Sequence, residues 1–152
     1  MNPTSLPKLN FPPIELRSRR NCEDGSISVW VASRGCYLVL TPEEWVRRHI
    51  VGFLISNCGI EATQICEEYP IKITGQSQRA DIVVIDNCCK PKILIECKAP
   101  SITIDKEVFA QAVRYNSALG AQYIILTNGL KHFCFEFIDG NYTPLMEFPS
   151  LK

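Results

Sequence analysis

The sequence predicts a mixed α/β fold in which helices flank one central mixed sheet, with β-hairpins added at both ends. Three observations carry that expectation. Two stretches, near 41–57 and 105–119, have apolar residues at helical spacing between recognisable start and stop signals. Short apolar runs bounded by turn residues recur through the middle of the chain. The second helix separates the runs ending at Lys98 and starting at Gln122, so it is a crossover between parallel neighbours or near neighbours.

The 152 residues suffice for one domain with a real core, and no linker or repeat divides them. We assign 1–152 to a single domain: an extended segment and β-meander over 1–40, a core over 41–127 and a C-terminal hairpin over 128–152. With 16 basic and 16 acidic residues the formal net charge is zero, so contact with nucleic acid calls for a local patch. No apolar run approaches the roughly 20 residues of a membrane span, and Met1–Pro13 lacks a signal peptide's apolar core. The expected compartment is the cytoplasm, with no membrane partner. The 8 cysteines form no Cys-x-x-Cys, and neither His49 nor His132 stands by a cysteine pair, which argues for reduced thiols and against zinc.

Residues 1–13 hold four prolines and should be extended until they meet the sheet. Ile14–Arg20, Ser26–Ala32 and Cys36–Leu40 read as an antiparallel meander with a scaffold role. Thr41-Pro42-Glu43-Glu44 starts a helix: Thr41 is the N-cap, Pro42 takes the first position and Glu44 completes a capping box. The helix should run to about Asn57 and bury Val46, Ile50, Phe53, Leu54 and Asn57. Glu43 shares that stripe and has no local task, so it is a functional candidate. The competing view makes both glutamates first-turn acids placed for the helix dipole.

A strand follows over Ile65–Ile73, a turn over Gly75–Gln78, and then two strands from Arg79 to Lys98 around an Asn87–Pro91 loop. The crossover helix covers about Asp105–Leu119 and stops at Gly120. Gln122–Thr127 is the next strand, Asn128-Gly129 a turn, and Lys131–Ile138 and Tyr142–Met146 the closing hairpin.

The chemistry concentrates in Arg79–Pro100. Asp81 opens one strand, while Glu96 and Lys98 follow the apolar Ile93-Leu94-Ile95 of the other. Strand alternation puts Glu96 and Lys98 on one face and Cys97 on the other. Paired as a hairpin, the strands bring both carboxylates and the ammonium to one end of the sheet. Acids beside an apolar core are unfavourable unless something binds them, and a hard divalent cation, Mg²⁺ or Mn²⁺, suits oxygen donors. The Cys97 carbonyl lies between and offers a further ligand. Lys98 can orient a water or offset charge on a phosphate, which is equipment for metal-assisted phosphodiester hydrolysis. A surface Glu–Lys pair is the plainer alternative, but the apolar surroundings place it on a buried strand.

Asp81 with Glu96-Cys97-Lys98, set in an αβββαβ order, resembles the PD-(D/E)xK nuclease superfamily, with Ala80 where that family usually has proline. Gln111-Ala-Val-Arg-Tyr115 resembles the Gln-x-x-x-Tyr motif of its RecB-like branch. Leu9–Pro13, Leu40–Arg47, Glu96–Pro100 and Thr127–His132 together resemble the N-terminal nuclease domain of type I restriction enzyme R subunits, in the small stand-alone form. The resemblance implies a restriction-endonuclease-like fold and a Mg²⁺- or Mn²⁺-dependent deoxyribonuclease. It further implies metal ligation by Asp81 and Glu96, with Glu43 as a supplementary acid and Lys98 assisting the attacking water. Gln111 and Tyr115 would shape the site. DNA is the implied partner, with other restriction or helicase subunits beside it. Among basic residues, Arg114, Lys106, Lys131 and His132 are candidates for phosphate contact, although most charged loops are merely solvated. Trp30 and Trp45 read as packing residues. A catalytically idle module for DNA binding or protein docking is the rival reading, and RNA a third. Terminal edge strands leave room for a homodimer.

Overall fold

The computed structural model describes residues 6–150. Its elements are β1 (Ser18–Arg20), β2 (Ile27–Val31), β3 (Cys36–Val39), α1 (Pro42–Ser56), β4 (Ile65–Ile73), β5 (Gln76–Ile85), β6 (Pro91–Cys97), α2 (Lys106–Leu119), β7 (Tyr123–Thr127), β8 (His132–Ile138) and β9 (Asn141–Leu145). Strands β1–β3 form a separate antiparallel sheet, and β4–β9 lie side by side in sequence order in a six-stranded one. Only β6 and β7 pair in parallel, with α2 as their crossover. The expected mixed sheet between helices is therefore present, and the C-terminal hairpin is an extension of it.

Alternation along the central strands builds two dry layers. Ile93, Ile95 and Cys97 face α1 through Val46, Ile50 and Leu54, while Leu94 turns to Val108, Ala112 and Tyr115 of α2. Both edge strands carry a proline, Pro70 in β4 and Pro144 in β9, which removes a donor and blunts pairing with a second chain.

Several local expectations need correction. The β4–β5 turn is Thr74-Gly75, both at positive φ, with Ile73 opposite Gln76. A tight two-residue hairpin satisfies strand twist with those conformations, so β5 starts earlier than a turn over Gly75–Gln78 allows. The Thr41 hydroxyl accepts from the Glu44 N–H at 3.0 Å, but Glu44's carboxylate turns to arginines, so only half of the expected capping box forms. The α1 stripe differs too: Asn57 is exposed, and Arg47, Arg48 and His49 are buried with Val46 and Ile50.

The proline-rich start is pinned at 7–10. Leu9 is buried, the Trp45 indole donates to the Pro7 carbonyl and Asn10 N–H donates to the Gly129 carbonyl. Gly129 has φ +85, and a Cβ there would sit 2.7 Å from the Leu9 side chain. Only glycine suits both demands.

Candidate active site

The site forms where β5 and β6 part. Their ladder runs in register to Ile82 opposite Ile95 and stops before Asp81 and Glu96. In place of the next backbone bond, Asp81 Oδ2 accepts the Cys97 N–H at 2.8 Å. The fork keeps Asp81 beside Glu96. Glu96 is only 4% exposed, and its Oε1 has no hydrogen-bond partner among the described residues. Burial first, and the Asp81 carboxylate second, push the Glu96 carboxyl up to about 9. Glu96 thus holds a proton at neutral pH in the metal-free protein.

Lys98 follows at the mouth of the fork. Its backbone N–H donates to the Thr127 carbonyl, which fixes the chain past the strand end. Its side chain makes no ion pair among the described residues. Lys98 lines an open cleft of about 790 Å³ with Glu43, Thr103, Gln111 and Arg114. On α2 the Gln111 amide donates to the Tyr115 hydroxyl at 3.1 Å, and that hydroxyl donates to Gln78 Oε1 at 3.1 Å. The Arg114 guanidinium lies 5.7 Å from the Tyr115 ring centre. Of the residues singled out from sequence, Glu43, Lys98, Gln111 and Arg114 line this cleft; Asp81, Glu96, Tyr115, Lys106 and His132 do not, and neither does Lys131. It is exposed on the β7–β8 turn, where its N–H bonds to the Asn128 side chain.

Helix α1 supplies the acid Glu43 and a group that sequence reasoning missed. Arg47 is buried and reaches Glu44 at 2.7 Å, Asp81 at 3.2 Å and Glu43 at 3.3 Å. Burial alone would lower its pKa, but Glu44 and then Asp81 outweigh that and raise it. Glu43 stands at the cleft edge, half-buried. Desolvation, then the Asp81 charge, raise its pKa. Arg48 Nε lies 2.8 Å from Glu44 Oε1, out of line for a hydrogen bond, and its other end pairs with Glu67. The missed signal was positional: Arg47 precedes Ile50 by three and Leu54 by seven, so it lies on the buried stripe. Gln78 was missed because it was placed in a turn.

Among the described residues no three Asp, Glu, His or Cys side chains gather as a ready-made metal cage. The chemistry of the acid pair nevertheless fits a hard cation. Two carboxylates share one small volume, and one buried oxygen of Glu96 has no hydrogen-bond partner among the described residues. Cys97 is no nucleophile: burial raises its thiol well above the ordinary value, and it belongs to the α1-side core.

A mixed sheet between two helices, forking at an acid pair with a lysine at its mouth, is a restriction-endonuclease-like arrangement. Residues 42–149 match the family described as type I restriction enzyme R protein N terminus (HSDR_N), and the chain belongs to that family as a nuclease-like domain. Among solved structures it is similar to a fragment assigned to an HsdR subunit of a type I restriction enzyme from Vibrio vulnificus YJ016. The two share 23% identity with a TM-score of 0.57, over 73% of this chain and 24% of that one. No curated protein matches. Among the described residues no helix is long and apolar enough to cross a membrane.

Proposed function

We propose that this domain is a Mg²⁺- or Mn²⁺-dependent deoxyribonuclease of the cytoplasm that hydrolyses phosphodiester bonds. The observation that carries the reading is the buried Glu96 oxygen, without a hydrogen-bond partner among the described residues, beside Asp81 at the strand fork. Asp81 and Glu96 would hold the cation, with the Cys97 carbonyl and Glu43 as supplementary ligands. When bound, it supplies Lewis-acid polarisation of the phosphate and a more acidic water. Lys98, which makes no ion pair among the described residues, orients the attacking water and offsets charge gathering on the phosphate. Gln111 lines the cleft and is braced from behind by the hydroxyl of the buried Tyr115, and Arg114 offers a guanidinium to the strand. Other restriction or helicase subunits are the partners that family membership suggests, since the chain spans 24% of the similar HsdR chain.

One observation favours a second reading. Arg47 already sets a guanidinium 3.2 Å from Asp81, which offsets its charge without metal. A fold held that way can serve as an idle module for DNA binding or docking. Plasmid nicking with Mg²⁺ or Mn²⁺ separates the two. The nuclease reading expects nicking by the wild type and none by Asp81→Ala or Lys98→Ala, both folded by circular dichroism. Equal activity in wild type and variants would sink it, and a wild type inert with both metals would leave the docking module.

A further inference from the structure

The outer face of the small β1–β3 sheet takes no part in the cleft, and its register shows an unusual surface. Trp30 pairs with Tyr37, and its N–H bonds to the Arg17 carbonyl at 2.8 Å, so Arg17, Trp30 and Tyr37 form one row. Arg19, Ser28 and Val39 form the next. Alternation sends Val29 and Val31, both 0% exposed, to the opposite side. The outward side keeps Arg17 and Arg19 exposed.

We propose that this face is a phosphate-contacting surface that holds duplex DNA whose adjoining segment enters the cleft, an inference that rests on DNA being the substrate. The Arg17 guanidinium lies over Trp30 at 5.1 Å and over Tyr37 at 5.7 Å, and Arg19 lies over Tyr37 at 4.1 Å. A ring beneath a guanidinium restrains it without consuming its in-plane N–H donors, which are the ones a phosphate engages. Neither arginine has a carboxylate partner among the described residues. On a chain with no net charge, two restrained and unpaired guanidiniums make a local positive surface. Arg20, one residue on, alternates to the other side and donates to the Gly25 carbonyl.

The meander is also joined to the strands beside the fork. The turn after β2 docks on β4, with the Ser33 hydroxyl on Glu67 and Arg34 on Glu68 at 2.9 Å. Arg79 of β5 shares Glu68 at 3.2 Å, so two arginines face one carboxylate. In the β4–β5 register, Glu67 opposes Ile82 and Tyr69 opposes Ala80, which sets Glu68 across from Asp81. Arg34 and Arg79, sharing the Glu68 carboxylate, thus stand between the meander and the strand bearing Asp81. A purely structural cation–π stack would affect thermal stability and leave salt dependence alone.

The test is anisotropy of a fluorescein-labelled duplex titrated with the full chain in EDTA, over a series of salt concentrations. For Arg17→Gln/Arg19→Gln, the slope of log affinity against log salt should fall by about 2, roughly one per phosphate contact. Arg20→Gln should keep the wild-type slope. In a Trp45→Phe background the fluorescence of Trp30 should change as duplex is added, a readout that leaves the arginines in place. An unchanged slope in the double variant, an equal fall for Arg20→Gln, a silent Trp30, or no binding by the wild type at low salt would each overturn the surface. Nicking that persists with an unchanged slope rejects the surface alone. Arginine-dependent binding without nicking in Mg²⁺ or Mn²⁺ rejects the nuclease and leaves the surface standing.

Discussion

At the base of α1, Glu44, Arg47, Arg48 and Glu67 set two carboxylates against two guanidiniums, with ion pairs linking all four. At the β5–β6 fork, Asp81 and Glu96 set two carboxylates together near one ammonium, and a buried oxygen of Glu96 has no hydrogen-bond partner among the described residues. Both groups are largely out of water, and Arg47 touches both. The first is balanced, each carboxylate meeting a guanidinium, and its ion pairs hold α1 to β4. The second is unbalanced: burial and the Asp81 carboxylate leave Glu96 holding a proton. Placing charges inside a protein is unfavourable in either case. The contrast separates a network in which each carboxylate meets a guanidinium from one in which two acids crowd together.

The largest effect expected on the balanced side is that of Glu44→Ala. It leaves Arg47 and Arg48 buried with one carboxylate fewer and should destabilise the domain by about 3–5 kcal/mol, read from urea denaturation. A loss below about 1 kcal/mol would erase the distinction between the two groups. Glu96→Gln should act in the opposite direction. The folded carboxyl titrates near 9 against an ordinary value of 4.5, so between them the folded state holds a proton that the unfolded chain has released. Stability of the metal-free protein is then full below the ordinary value and declines as pH rises through that window. Glu96→Gln should flatten the decline, and at pH 8 it should be more stable than wild type, on the order of 2 kcal/mol. Matching pH profiles for the two proteins would contradict a buried, protonated Glu96. The smallest effect belongs to Tyr115→Phe. It removes the hydroxyl that joins Gln111 to Gln78, which should cost about 1 kcal/mol of stability and slow nicking severalfold by freeing Gln111. A variant as active as wild type would remove Gln111 and Tyr115 from the positioning role.

Much of this architecture could be read from residue order. Alternation in Ile93–Lys98, the Thr41-Pro42 start of α1 and the crossover of α2 are local signals, and the structure keeps each of them. The approach of Asp81 to Glu96 followed from pairing two strands around one loop. Arg47 was missed for a physical reason. A Glu-Glu-x-x-Arg spacing on a helix normally signals a solvated i,i+3 or i,i+4 pair. Only tertiary packing reveals that β4 and β5 bring Glu67 and Asp81 against that side and shut out water. Thr74-Gly75 was missed because a later run of polar residues looked like the turn, and Gln78 was lost with it. The meander, read as scaffold, carries arginines whose stacking depends on cross-strand register, a property that spacing alone does not display.

Calorimetric titration with Mn²⁺ reaches the central claim most directly, because it interrogates the acid pair without needing substrate or turnover. If Asp81 and Glu96 form the metal site, wild-type protein binds Mn²⁺ at pH 8 and releases close to one proton per ion as Glu96 ionises, measured in buffers of differing ionisation enthalpy. Binding should tighten with rising pH and disappear in Asp81→Asn. No heat at millimolar Mn²⁺, or equal binding by Asp81→Asn, would contradict the assignment of this fork as a metal centre.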